Sequence, residues 1–362
     1  MQIGDRLDRQ YRRYADEYKK AAIRVLESGH YILGEEVAAF EREYAAHMGA
    51  KECVGVNSGL DALILAIRAL GIGPGDEVLV PANTFIATVI AIVEVGATPV
   101  FVEPDEYYNI DASAIESRIT KKTKAIIVVH LYGQAANMRP IRAIADKYKL
   151  YLLEDCAQAH TATFDGKTIG TWGNAGCFSF YPTKNLGAFG DAGAIITDDD
   201  TLAAKLRALR NYGSNVKYHN EYRGVNSRLD EMQAALLRVK LTHLGELIAE
   251  RRAMKDKYLQ GIRNAKVILP AVRDGATHVW HLFVIRCKER DSLKEYLEKK
   301  GIYTQIHYPI PPHLQKCYAD LGYREGSYPI AEAYAREVLS LPFYNGMTDA
   351  EMQYVIDAVN EF

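Results

Sequence analysis

Apolar residues along this chain switch repeatedly between two spacings. Val37, Phe40, Tyr44 and Met48 recur at helical intervals, the compact run Cys53-Val54-Gly55-Val56 follows, and Leu60, Leu63, Ile64, Ile67 and Leu70 return to the helical interval. Residues three and four apart share a helix face, so the pattern predicts helix, short strand, helix. Apolar runs at Val78-Leu79-Val80, Pro99-Val100-Phe101-Val102, Ala125 to Val129 and Tyr151-Leu152-Leu153 predict further strands, with a helix from about Thr84 and another after Met138. Strands this apolar are covered on both faces, which predicts a largely parallel sheet between helical layers.

The same reading predicts strands at Gly176 to Phe180 and Gly193 to Thr197 and helices over Leu202 to Leu209, Leu229 to Leu241 and Leu244 to Leu259. A strand over Val279 to Arg286, a helix around Leu293 to Lys299, a strand over Ile302 to Ile306 and helices near Ala331 to Leu339 and Ala350 to Val359 then form a smaller α+β unit. The expected division is a large domain with an N-terminal arm over residues 1–245 and a small domain over 246–362. No internal repeat interrupts this order.

Composition narrows the class. The 362 residues are 48% hydrophobic and 25% charged, as in an ordinary folded protein. With 44 Lys and Arg against 46 Asp and Glu, the net charge of -2 removes the global electrostatic case for nucleic acid, so an anionic ligand must be met locally. The start Met1-Gln2-Ile3-Gly4-Asp5-Arg6 carries no apolar secretion segment and no later apolar stretch reaches membrane-spanning length, which predicts a cytoplasmic location without membrane contact. Cys53, Cys156, Cys177, Cys287 and Cys317 are odd in number and lack a CxxC pair, so all five are expected to be buried free thiols and no metal site is expected.

The chemistry concentrates in a few segments. Asp155 ends the apolar strand of Glu154-Asp155-Cys156-Ala157-Gln158, where ligands of open α/β sheets collect. A buried carboxylate there needs a cation, which a protonated pyridine nitrogen supplies; read alone, Asp155 also suits a metal or a turn cap. Downstream, Ser179 alternates with Phe178 and Phe180, which turns its hydroxyl toward the site, and Lys184 offers an amine for an aldehyde. Ser58 and Gly59 join a strand to a helix and can offer backbone N–H groups to a phosphate, or serve only as a cap and turn. Phe85 begins a helix and can cover a flat ring or fill the core; Gln158 can donate to a ring oxygen or stand idle. His160 lies close by, but a lone histidine is more often structural and is left out of the catalytic set. An anion, a phosphate-facing hydroxyl and an amine in this order along the chain point to pyridoxal 5'-phosphate (PLP).

Val56 to Leu63, Glu154 to His160, Phe178 to Gly193 and Gly224-Val225-Asn226-Ser227-Arg228-Leu229-Asp230-Glu231-Met232-Gln233-Ala234-Ala235 together resemble the PLP-dependent sugar-nucleotide aminotransferases of the DegT/DnrJ/EryC1/StrS family. The resemblance runs nearly end to end. It implies the aspartate-aminotransferase-like fold, PLP fold type I: an α/β large domain with a mostly parallel mixed sheet and a smaller α+β C-terminal domain. It makes Lys184 the lysine that holds the cofactor's aldehyde carbon, Asp155 the partner of the pyridine nitrogen, Phe85 the stacking ring and Gln158 the contact near the ring oxygen. Ser58, Gly59 and Ser179 fall near the phosphate. Asn226 is similar to an asparagine that reaches the neighbouring subunit's phosphate, which implies a homodimer with shared active sites. Tyr31, Lys217, His307 and Tyr308 align with loops around the sugar nucleotide; each also has a local reading as a packing, solvated or turn residue. Thr161 departs from the family, where glycine is frequent.

Within the family, Asn83 to Thr88, Ala157 to His160 and His307 to Pro311 look most like enzymes that aminate C3 of dTDP-3-keto-6-deoxyhexoses, with L-glutamate as amino donor. C4 amination of a 4-keto sugar, or C3 amination of a UDP-linked 3-ketouronate, stays open at this stage. Sugar dehydratases related to the family carry histidine in place of the lysine, so Lys184 favours transamination. A PLP-binding regulator is the non-enzymatic alternative, but no helix-turn-helix segment or basic face accompanies it.

Overall fold

The computed structural model describes residues 2–4, 6–216 and 218–362. Lys217, one of the expected sugar-facing residues, lies outside the described residues. The chain enters through α1 (Leu7–Arg13), α2 (Ala15–Ser28) and α3 (Glu35–Met48). It then alternates through β1 (Glu52–Val56), α4 (Gly59–Ala69), β2 (Glu77–Pro81), α5 (Ile86–Glu94), β3 (Thr98–Val102), α6 (Ala112–Ile115), β4 (Thr123–Val129), α7 (Met138–Tyr148) and β5 (Tyr151–Asp155). A short hairpin, β6 (Thr163–Phe164) with β7 (Lys167–Thr168), precedes β8 (Ala175–Ser179), β9 (Gly193–Thr197) and α8 (Asp200–Leu209). A second hairpin, β10 (Ser214–Val216) with β11 (His219–Asn220), leads to α9 (Glu231–Thr242) and α10 (Leu244–Gly261). The chain closes with β12 (Val267–Ile268), β13 (Phe283–Cys287), α11 (Arg290–Lys299), α12 (Pro329–Glu337), β14 (Val338–Leu341) and α13 (Asp349–Glu361).

Seven strands form the main sheet in the order β1-β9-β8-β5-β4-β2-β3. Only β9 runs against its neighbours β1 and β8; the other pairings are parallel. Six strands therefore end on one edge, and the connections leaving β1, β2, β5 and β8 bring Ser58, Phe85, Gln158 and Lys184 to that edge. The sheet is buried on both faces, as its apolar runs require. One cluster packs Phe40, Tyr44, Leu152, Phe178 and Phe180; the other packs Val80, Phe101, Ile127, Leu153 and Ile195. A third core, from Ile3 to Tyr258, Phe283 and Val359, covers β13 and β14. Helix α10 spans the join, with Leu244 and Ile248 in the first cluster and Met254 and Tyr258 in the third.

The structure departs from the sequence reading in three places beyond the sheet. Ile302 to Ile306 is no strand: it meets its neighbours only at single bridges, Ile3 to Ile302 and Gln305 to Ser340. The helix expected to reach Leu339 stops at Glu337, and the chain turns at once into β14, because Val338 to Leu341 pair with β13. The expected strand from Val279 begins only at Phe283, since Trp280 has a positive φ of 54° that no regular strand holds. Four cysteines are buried free thiols, but Cys317 is exposed, which corrects the expectation for all five; it sits in a short helical turn whose neighbour Tyr318 takes the buried side. Among the described residues no helix is long and apolar enough to cross a membrane.

The start of α3 shows how the elements are tied. Its N-cap is Gly34, which has no side chain to accept from the first turn. Glu231, 3% exposed at the head of α9, does so instead: its carboxylate accepts the N–H groups of Gly34 (2.7 Å), Glu36 (2.9 Å) and Val37 (2.9 Å). An anion at a helix start also meets the positive end of the dipole. Glu231→Ala is expected to destabilise the protein by roughly 2–4 kcal/mol through the orphaned donors. Urea unfolding followed by circular dichroism checks the value.

Candidate active site

A cavity of about 710 Å³ opens at the strand ends. It gathers Ser58, Gly59, Phe85, Asp155, Gln158, Ser179, Lys184, His307 and Tyr308, drawn from segments up to 250 residues apart, Ser58 to Tyr308 (308 − 58). Tyr31 and Asn226 do not line it. Tyr31 is 51% exposed with its hydroxyl donating to the Leu26 carbonyl at 3.2 Å, and Asn226 is exposed beside its bridge to Asn211.

Asp155 is 7% exposed at the end of β5. Its Oδ2 accepts from the Thr88 hydroxyl at 2.9 Å and its Oδ1 from the Ala157 N–H at 3.1 Å. Thr84, just before the N-cap of α5, and Thr88, in its first turn, share a hydrogen bond of 2.7 Å that aims the second hydroxyl. Burial pushes the carboxyl pKa up; the Ala157 and Thr88 bonds and the more distant charge of Lys184 offset this in part. Among the described residues no cation forms an ion pair with it, so the carboxylate faces the cavity without a direct counter-charge.

Lys184 meets the same cavity from the loop after β8. Burial lowers its amine to about 8, and the nearby Asp155 carboxylate acts in the opposite direction. The amine thus reaches the neutral form that attacks a carbonyl or takes a proton at a much lower pH than an ordinary lysine. Burial, with the Lys184 charge behind it, also holds His160 to about 3 and His307 to about 4. Both imidazoles are neutral at neutral pH. The Nε2 of His160 bonds the Ser179 carbonyl at 3.0 Å, a structural task, while His307 bonds the Ser340 hydroxyl at 2.8 Å through Nδ1.

Ser58 caps α4 by accepting from the Asp61 N–H at 3.1 Å, and it also lines the cavity, so the cap and the site coincide. Beside it Gly59 is required by close approach: a Cβ there would stand 2.6 Å from the Cβ of Ser179. The helix start and the Ser179 hydroxyl thereby converge on one point, as an anion site needs. Phe85 is the N-cap of α5, 49% exposed at the cavity, with its ring 5.1 Å from that of Tyr308. Gln158 is oriented from both ends: its Oε1 accepts from the Tyr132 N–H at 2.7 Å and its Nε2 donates to the Tyr308 hydroxyl at 3.0 Å.

These residues fit the phosphorylated pyridine aldehyde that the resemblance implies. The buried anion without a cation suits a pyridinium, the lowered amine suits the aldehyde, and the cradle at Gly59 and Ser179 suits the phosphate. A second cluster, His130, Glu154 and Cys156, has metal-ligand types within 4.8 Å of one another, yet its donors are committed. His130 accepts from the Ala136 N–H at 3.0 Å through Nδ1 and therefore donates to Glu154 through Nε2, also at 3.0 Å. Glu154 further accepts the N–H groups of Gly170, Trp172 and Gly173. The cluster is a brace behind Asp155.

The family model for DegT/DnrJ/EryC1/StrS aminotransferases matches residues 13–360. The chain belongs to this family. It is 55% identical over 97% of its length to the dTDP-3-amino-3,6-dideoxy-alpha-D-galactopyranose transaminase of Aneurinibacillus thermoaerophilus, covering 96% of that protein. Among solved structures, DesV of S. venezuelae shares 48% identity and superposes with a TM-score of 0.98, with 100% of this chain and 98% of that one covered. NtdA of Bacillus subtilis, solved with bound PMP, shares 31% identity at a TM-score of 0.91, covering 98% of this chain and 83% of that one. The fold is the aspartate-aminotransferase-like one that the sequence implies.

The sequence reading missed Thr88 and His281, which also face this region. Thr84 stands just before the N-cap of α5 and Thr88 in its first turn, and their pairing has meaning only through the position of Asp155. His281 had no local signal. If the environment sets the Lys184 amine, reductive alkylation of the apoprotein at Lys184 by a small aldehyde accelerates with pH and levels off above about 8. An ordinary lysine keeps accelerating to about 10.4. Because Asp155 raises the Lys184 pKa, Asp155→Asn is expected to move the midpoint down; peptide mass spectrometry across a pH series reads both.

Proposed function

We propose that the protein binds PLP and transfers the amino group of L-glutamate to C3 of a dTDP-3-keto-6-deoxyhexose, giving a dTDP-3-amino-3,6-dideoxyhexose and 2-oxoglutarate. The observation that carries this reading is the Lys184 amine and the cation-free Asp155 carboxylate facing one cavity, in a chain that matches a dTDP-sugar 3-transaminase over 97% of its length. A cytoplasmic place fits a reaction that draws on free glutamate and nucleotide-linked sugars. The division into a large part, 1–245, and a small part, 246–362, is retained in this reading, with α10 spanning the join.

PLP, when bound, supplies an electron sink for the pair left as a proton leaves the carbon next to an amine. This chain's residues do the rest. Asp155 would hold the ring nitrogen in its protonated form, with Thr88 keeping that carboxylate aimed. Ser58, Gly59 and Ser179 would hold the phosphate, Phe85 would cover the ring, and Gln158, fixed by Tyr132 and Tyr308, would meet the ring oxygen. Lys184 takes a proton at Nζ from the amino donor's α-carbon and returns one to the sugar carbon in the opposite half of the cycle. His307 and Tyr308 face the sugar, and because burial makes both imidazoles weak bases, with His160 held to about 3 and His307 to about 4, the lysine is the base best placed for the transfer. Replacing one ring position of the sugar changes which polar groups go unpaired, which is how such a pocket selects C3.

The test loads the protein with glutamate and then offers dTDP-3-keto-6-deoxyglucose, dTDP-3-keto-6-deoxygalactose, their 4-keto counterparts and a UDP-linked 3-ketouronate. A dTDP-3-keto sugar is expected to consume the bound amine fastest, with NMR of the product placing nitrogen on C3. Amination at C4 alone would overturn the regiochemistry, and preference for the ketouronate would overturn the nucleotide.

The same reading includes a homodimer with composite sites. Asn226 stays outside its own chain's cavity, and Tyr181, Phe189 and Tyr212, each about half exposed, leave apolar surface of the kind partners cover. Tyr31 and Lys217 belong to the same proposal as sugar-facing residues. Mixing a Lys184→Ala subunit with an Asn226→Ala subunit is expected to restore activity that neither has alone, since one of the two sites in the mixed dimer is then intact. Confirmed mixing without recovery would place both residues in one chain's site.

A further inference from the structure

The loop that carries Lys184 is tied at every second residue that follows. Asn185 donates through Nδ2 to the Val279 carbonyl at 2.9 Å, the Gly187 carbonyl accepts from Lys240 Nζ at 3.3 Å, and the Phe189 N–H donates to Gln233 Oε1 at 2.8 Å. The loop itself is curled tightly: the Lys184 N–H bonds the Tyr181 carbonyl at 2.8 Å, and a Cβ on Gly187 would lie 2.3 Å from the Pro182 oxygen. Two of the three ties come from α9, where positions 233 and 240 are two turns apart and share a face.

Lys240 is an expensive way to make one of them. The residue is 2% exposed and lies among the buried apolar residues of α9, such as Leu237 and Leu241. Among the described residues no carboxylate pairs with it. The nearest charge influence is the like-signed Arg251, and with burial as the larger cause the amine is lowered to about 7. Burying an amine without a counter-charge costs several kcal/mol or forces it neutral, so a position that served packing alone would be met better by leucine or methionine. What Lys240 adds to packing is its donor to Gly187, three residues beyond Lys184.

We propose that Lys240 and Gln233 are positioning residues that clamp the loop carrying Lys184 and so return its amine to one place. This rests on the reading that Lys184 holds the cofactor and moves the proton. The side chain of Lys184 must leave and rejoin its reacting partner in each cycle while its backbone stays put; a loop free to drift by an ångström would lose alignment and with it rate. Neither residue touches substrate or cofactor in this account.

The experiment uses the full chain with PLP as the probe. Apoprotein is mixed with PLP, samples are reduced with borohydride over time, and peptide mass spectrometry follows the adduct on Lys184. Lys240→Met is expected to slow its appearance about ten-fold or more, with a thermal midpoint equal to or above that of the parent. In a Lys184→Ala background, where no bond can form, adding Lys240→Met is expected to leave the PLP dissociation constant unchanged. Gln233→Leu is expected to act in the same direction and carries the comparison should Lys240→Met not fold. Unchanged trapping rates in the folded variants overturn the clamp, as does an equal loss of PLP affinity in the Lys184→Ala background, which means a general effect on the pocket. A fall in thermal midpoint that accounts for the slower trapping assigns both residues to the scaffold and overturns it too. An adduct in the parent on some other lysine sinks the underlying reading and is distinguishable from all of these.

Discussion

Two acidic residues stand side by side at the end of the central strand β5, and the molecule treats them in opposite ways. Successive residues of a strand point to opposite faces. Glu154 points to the back, fully buried, and has four donors: His130 and the N–H groups of Gly170, Trp172 and Gly173. Asp155 points to the cavity with two, Thr88 and Ala157. The first carboxylate is complete within the fold and fastens the segment before β8. The second is left short of a cation, and the rest of the site is arranged around that deficit. Because the two are neighbours, the brace that fixes Glu154 also fixes the direction of Asp155.

From this follows the electrostatic order of the cavity. The Asp155 charge raises a lysine amine that burial lowers, leaving it near neutrality. The same lysine charge, after burial, helps depress His160, His281 and His307. Three imidazoles that might compete for protons are thereby kept neutral, and two of them have polar tasks, His160 at the Ser179 carbonyl and His307 at the Ser340 hydroxyl. Geometry supports this division. Six strands with parallel ends deliver the anion, the hydroxyl and the helix start to one edge, and Gly59 lets α4 approach Ser179 without a side chain between them.

Much of this was legible in the chain because it is written locally. Apolar runs marked the sheet strands to within a residue or two, and the alternation of Phe178, Ser179 and Phe180 put the hydroxyl on the correct face. Segments whose structure depends on distant partners were misread. Val338 and Leu339 look like the end of α12 and become part of a strand, Val338–Leu341, only because β13 lies next to them. Ile302 to Ile306 has the composition of a strand but meets only single bridges. The same holds in the site: Thr88 meets Asp155 across 67 residues and Lys240 meets Gly187 across 53, separations at which spacing carries no signal.

The two halves of the cavity differ in how firmly they are built, and this bears on how one fold can serve several sugars. The cofactor-facing groups stand at the ends of paired strands, at helix starts, or on short tied loops directly after strands, as Gln158 and Lys184 do. His307 and Tyr308 stand instead on a stretch joined to its surroundings by the single bridge from Gln305 to Ser340, the His307 bond to Ser340, and the hydroxyl contacts of Tyr132 and Tyr308. Thr161, next to His160 in the chain, holds a positive φ of 67°, a conformation that costs a β-branched residue of order 1–3 kcal/mol. In the proposed reading, substitutions around His307 and Tyr308 change the polar groups offered to a sugar without touching Asp155, Lys184, Gly59 or Ser179. In this reading the chemistry resides in the sheet edge and substrate choice in the loosely bridged loops, so relatives can exchange one sugar for another while Asp155 and Lys184 keep the same relation to each other.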